Sequence, residues 1–266
     1  MTTLVRQLSQ RQAVTLLRQP YLWLIGTWLL AMICVPLAWW AWGDRVLPIA
    51  SLVTISLQCS AVLLILGQAW GWRQTVRTFG VVAVLTYSAE LIGSKTGFPF
   101  GVYAYTALLQ PQAWGVPLVI PLAWMMMVAP AWGIAYALLG ERLDSPMRRA
   151  GFALLSALAL TAWDLFLDPQ MVGWGFWEWA QPSGYFGIPW VNFAGWVLTA
   201  LIVTAVVRPN KLPVKPLIVI YGIVWALQTG GLLVIWAQPG PALVGALAMG
   251  SLLGAALLRL RRIEAR

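Results

Sequence analysis

Apolar runs long enough to cross a bilayer recur along the whole chain, at about residues 21–42, 47–67, 76–92, 117–139, 150–168, 189–207, 216–236 and 241–258. A ~30 Å hydrocarbon core takes about 20 helical residues. Only helices or closed barrels satisfy their backbone polar groups inside it. The alternating apolar and polar strands of an outer-membrane barrel are absent. Hydrophobic residues make up 61% of the chain and charged residues 9%. The sequence therefore predicts an all-α, polytopic membrane protein: one integral domain over residues 1–266 with about eight transmembrane helices. Residues 1–20 form a basic N-terminal segment and 259–266 a basic tail. The run at 21–42 is too long for the core of a cleavable signal peptide and is expected to remain as the first helix. Cys34 and Cys59 fall inside predicted spans, so they indicate neither a redox compartment nor a metal site.

The basic residues sort onto alternate connections. One side receives Arg6, Arg11, Arg18, Arg73, Arg77, Arg142, Arg148, Arg149, Arg208, Lys211, Lys215, Arg259, Arg261, Arg262 and Arg266, and the other only Arg45 and Lys95. The positive-inside rule then places both termini in the cytoplasm. The net charge of +9 is accounted for by topology and contact with anionic lipid heads, not by nucleic acid.

The acids divide differently. Glu141, Asp144 and Glu264 sit in basic segments as solvated charges, whereas Asp44, Glu90, Asp164, Asp168 and Glu178 fall toward the outer half. Glu90 is 13 residues past Arg77 and Asp164 is 15 past Arg149. At ~1.5 Å per residue both rise roughly 20 Å or more from the inner face. Ionisable groups at such depth are rare without a role. Asp168 follows Asp164 by four residues, so the two carboxyls share a helix face. Pro169 predicts that the helix ends at Asp168, leaving Asp168 the wetter of the two and Asp164 the one that keeps its proton. Two blander readings stand beside this: Asp168 as a turn cap, and Glu178, between Trp177 and Trp179, as an exposed interfacial charge.

Two outer segments, Gly93–Val116 and Pro169–Pro189, are too aromatic and too rich in Gly and Pro for plain loops. They predict two ordered non-cytoplasmic segments capping a cavity, since irregular backbone at membrane depth must be buried or line one. Trp163, Trp174, Trp177, Trp179 and Trp190 gather beside the acids; an aromatic belt explains some of them, and a pocket for a flat apolar ligand or a cation explains others.

The absences narrow the chemistry. There is no histidine, which removes His-rich iron sites, ordinary haem ligation and imidazole relays. The three lysines lie in connections, and neither a phosphate-binding loop nor a dinucleotide fingerprint occurs. Carboxyls, phenols, amides and water remain, so the feasible reactions are proton transfers.

In three stretches the chain resembles the integral-membrane carotenoid hydratases, the carotenoid 1′,2′-hydratase of cyanobacteria and the bisanhydrobacterioruberin hydratase of haloarchaea. These are AELIGSKTGFPFGVYAYT at 89–106, AWDLFLDPQM at 162–171 and GYFGIPWVNFAGW at 184–196. The hydrophobic profile agrees over nearly the full length. The resemblance implies addition of water across the terminal double bond of an acyclic ψ end group, as in γ-carotene or lycopene. It implies no cofactor or metal, a carotenoid substrate taken from the lipid phase, and a bacterial or cyanobacterial plasma or thylakoid membrane. The alcohol formed would suit a carotenoid glycosyltransferase as partner. On chemical grounds Asp164 is the expected acid and Asp168 or Glu90 the water-positioning base, with Glu178 a further catalytic candidate. Tyr103, Tyr105 and Asn192 are expected to hold the water, and Trp163, Trp177, Trp179 and Tyr185 to contact the substrate. A membrane lycopene cyclase, in which an internal double bond captures the cation, is the nearest alternative. A transporter or lipid-binding protein is the alternative from another class.

Overall fold

A computed structural model describes residues 19–140 and 143–264. Among the described residues eight helices are long and apolar enough to cross a membrane. They are α1 (Pro20–Trp42), α2 (Leu47–Trp70), α3 (Trp72–Thr96), α4 (Ile120–Leu139), α5 (Pro146–Gly173), α6 (Trp190–Val207), α7 (Val214–Val234) and α8 (Pro239–Glu264). The expected polytopic all-α class is the class observed. Arg6, Arg11, Arg18, Glu141, Arg142 and Arg266 lie outside the described residues, as does nearly all of the 1–20 segment.

Helix α4 is the hub. It packs against α2, α3, α5, α7 and α8. Its small residues permit this, as in other membrane bundles; a Cβ on Gly133 would lie 2.9 Å from Leu217 Cβ. Helix α6 packs on α3 and α5, which closes a ring of α3, α4, α5 and α6 around the intramembrane acids.

Two prolines sit inside this ring, and each leaves a carbonyl without its helical donor. Pro130 frees Met126 O, and Gln58 Nε2 of α2 donates to it at 3.3 Å. Pro169 frees Leu165 O, and Tyr185 Oη donates to it at 3.0 Å. The helix therefore runs through Pro169 to Gly173 rather than ending at Asp168. The expected helix end, and the turn cap it implied, are both overturned, because a side chain from the following segment supplies the missing bond.

The two outer segments meet. Strand β1 (Tyr103–Tyr105) pairs antiparallel with β4 (Trp177–Trp179), with Tyr103 opposite Trp179 and Tyr105 opposite Trp177. Between them β2 (Gln112–Ala113) and β3 (Val116–Pro117) form a small hairpin of their own. The ribbon is anchored by Phe100, which wedges between α3 and α6. A Cβ on Gly93 or Gly195 would come within 2.7 Å of its ring, so both helices have glycine where it sits.

Candidate active site

Side chains on a strand alternate between faces. On the β1–β4 ribbon Tyr103, Trp177 and Trp179 are buried and Tyr105 half-buried, while Ala104 and Glu178 between them are exposed. The inner face of the ribbon roofs a cavity of about 420 Å³, a size that holds a drug-sized ligand. Its walls bring together Glu90 of α3, Trp124 of α4, Trp163 and Asp168 of α5, and Asn192 and Trp196 of α6.

Glu90 is 5% exposed and has three donors. Tyr103 Oη and Tyr105 Oη reach its Oε2 at 2.5 and 2.8 Å, and Trp124 Nε1 reaches Oε1 at 3.2 Å. Burial, and next the Glu90 carboxylate itself, push both phenols above their ordinary titration range. They remain protonated donors. A carboxylate offers about four acceptor positions, so one is left for a further donor from the cavity.

The second acid site is poor in donors. Asp164 is 0% and Asp168 2% exposed, and they stand one turn apart on α5. One amide serves both: Asn192 Nδ2 donates to Asp164 Oδ2 at 3.2 Å and also to Asp168 Oδ2. Trp177 Nε1 donates to Asp168 Oδ1 at 3.1 Å. Asp164 Oδ1 is buried with no donor. Asp168 and Glu90 both line the cavity.

The expectation that Asp168 is much the wetter carboxyl does not hold, since both are sealed from bulk water. The difference lies in direction. Asp168 faces the cavity, whereas Asp164 stands behind it and is not among the lining residues. Glu178 projects away from the cavity, as an exposed charge would. Tyr185 is also outside the lining; besides capping Leu165 O, its ring stacks edge-on against Phe193 at 5.3 Å. Tyr103, Tyr105, Trp163, Trp177, Trp179 and Asn192 all lie on the wall.

Three participants were not singled out in the sequence, although Phe100 and Trp196 fall within the motifs at 89–106 and 184–196. Trp124 donates to Glu90 from the middle of an apolar run. Trp196 stacks on Trp124 at 4.2 Å and meets Trp163 edge-on at 6.0 Å. Phe100 lies under the ribbon, its carbonyl accepting from Trp179 Nε1 at 3.3 Å. Only a register between distant segments reveals them.

The family model described as carotenoid biosynthesis protein matches residues 49–252, which include every residue of this site. The chain belongs to that family. This carotenoid biosynthesis protein is also similar to the bisanhydrobacterioruberin hydratase of Haloarcula japonica, with 38% identity over 120 residues. That match takes in 44% of the chain and 39% of the relative, so the chain spans well under half of the relative's length. No solved structure matches it.

Proposed function

We propose that this carotenoid biosynthesis protein is a hydratase, adding water across the terminal 1,2 double bond of an acyclic ψ end group to give a tertiary alcohol. One observation carries the reading: a single cavity roofed by aromatic rings is faced by two carboxyl sites with opposite donor supply. Two ionised carboxylates one turn apart in so dry a site repel one another strongly. The Asp164–Asp168 pair therefore holds a proton between them, and Asp168 presents it to the cavity. Glu90, with donors from Tyr103, Tyr105 and Trp124, is supplied for the anionic form and keeps one acceptor position open.

The proposed steps balance. The π electrons of the C1=C2 bond take the proton from Asp168, forming a C2–H bond and leaving a tertiary cation at C1. The faces of Trp163, Trp177 and Trp196 stabilise that cation. A water held by Glu90 forms the C1–O bond and gives its proton to the Glu90 carboxylate. Return of that proton to the aspartate pair restores the site. The net change is one water added, with no change of redox state. The 38% identical hydratase supports this reading, as does the family match. The roles differ from the sequence-based expectation, because the acid that reaches the cavity is Asp168 and Asp164 acts through it.

The test is expression in a host that accumulates lycopene or γ-carotene, followed by mass analysis of the pigments. The expected product has gained the mass of one water and carries a tertiary alcohol. A ring-closed product of unchanged mass identifies a cyclase instead, and an unaltered pigment profile overturns the reading.

A further inference from the structure

The cavity has a mouth between helices of the bundle. Among the residues that line it, three are exposed: Ile33 of α1 at 52%, and Ala226 and Gly230 of α7. At ~1.5 Å per residue they stand roughly 20, 18 and 24 Å above the inner ends of their helices, and Glu90 roughly 27 Å above the start of α3. In a ~30 Å hydrocarbon core that depth is acyl chain, not water.

The helix packing explains the gap. Helix α1 packs along α2, and α7 along α4 and α8, while α1 and α7 share no extensive packing among the described residues. Above the mouth the end of α1 meets the segment that follows α7. There Trp39 meets Trp236 edge-on at 5.0 Å, and Trp236 meets Trp174 at 4.9 Å. This tryptophan cluster closes the cleft toward the outer aqueous face and leaves it open sideways. The walls just inside are Met32, Val35 and Leu227, all apolar. The α7 edge includes the small residues Ala226, Gly230 and Gly231 beside Leu227 and Gln228, and a Cβ added at Gly230 would meet nothing within 4 Å. No charged residue lies on the mouth.

We infer that the cleft between α1 and α7 is a lateral portal through which a polyene slides from the bilayer, acyclic end first, while its far end stays in lipid during the reaction. The inference rests on the proposed hydration for the chemistry at the inner end. A cavity of about 420 Å³ holds an end group and the adjoining isoprene units, and a tetraterpenoid is longer than that. The substrate class follows: carotenoids with at least one acyclic end, whatever the other end carries.

The test is a reversible plug. In a Cys34→Ser background, Gly230→Cys is modified with a bulky methanethiosulfonate and then released with a reductant. Two readouts are taken, saturable quenching of tryptophan fluorescence by added polyene and formation of the water adduct. Modified Gly230→Cys is expected to lose both and to regain both on reduction. The same modification of Val84→Cys, on the exposed face of α3 (66% exposed), is expected to change neither. Full quenching and turnover by completely modified Gly230→Cys would overturn the portal. A carotenoid with a ring at its far end should be hydrated at its acyclic end as readily as a fully acyclic one, and its rejection would place the far end inside the protein. An unmodified protein that is quenched saturably but forms no adduct removes the hydratase reading and leaves the portal standing.

Discussion

Glu90 and the Asp164–Asp168 pair carry the same functional group beside one cavity, almost equally buried, yet they are provisioned oppositely. Three donors converge on the one carboxyl of Glu90. The two carboxyls of the pair share Asn192, Trp177 donates to Asp168 alone, and one oxygen of Asp164 has no donor. Burial alone would treat all three acids alike. Donor count separates them into a site suited to an anion and a site that needs a proton, and acid catalysis of hydration requires one of each.

Substitutions that equalise the two sites test this contrast. The largest expected effect is Asp168→Asn, which removes the cavity-facing proton; a loss of about 10²–10⁴ in kcat matches what a positioned general acid contributes. Asp164→Asn should cost less and should shift the pH profile, because Asp164 works through its neighbour. If the order reverses, the donor is Asp164. Glu90→Gln comes next, with an expected loss near the lower end of the same ~10²–10⁴ range for removing the base. Retention of full turnover would assign the water to the aspartate pair alone. Tyr105→Phe withdraws one donor from Glu90 and should slow turnover about tenfold, since a hydrogen bond to a charged group contributes ~1.5–3 kcal/mol. A change confined to KM would make the phenol a substrate contact instead. Glu178→Gln is expected to leave product formation in the carotenoid-producing host unchanged, because that side chain points out of the ribbon. A marked loss there would mean the ribbon turns over during the reaction.

Some of this is written locally in the chain. Apolar length gave eight spans. The motifs at 89–106 and 162–196 marked both acid sites, because intramembrane carboxyls among aromatics are conspicuous in any apolar sequence. Glu178 illustrates where local reading runs out: it looks like Asp168 in composition, and only the two-residue alternation of a strand shows it facing away. Pro169 is the opposite case. Read locally it ends a helix, but Tyr185 supplies the lost bond from 20 residues away in sequence, so the helix continues and carries Asp168 into the wall.

The sequence by itself determined the membrane class, the number of spans, and an inventory of acid–base side chains that holds carboxyls and phenols but no imidazole. These depend on hydropathy and residue inventory, which need no partner to be expressed. Tertiary structure alone decided which carboxyl faces the cavity, how many donors each acid receives, and where the cavity opens. Those are properties of pairs: Tyr103 with Glu90, Asn192 with Asp168, α1 with α7. Contacts between segments far apart in the chain arise from packing geometry, and no local pattern of residues encodes them.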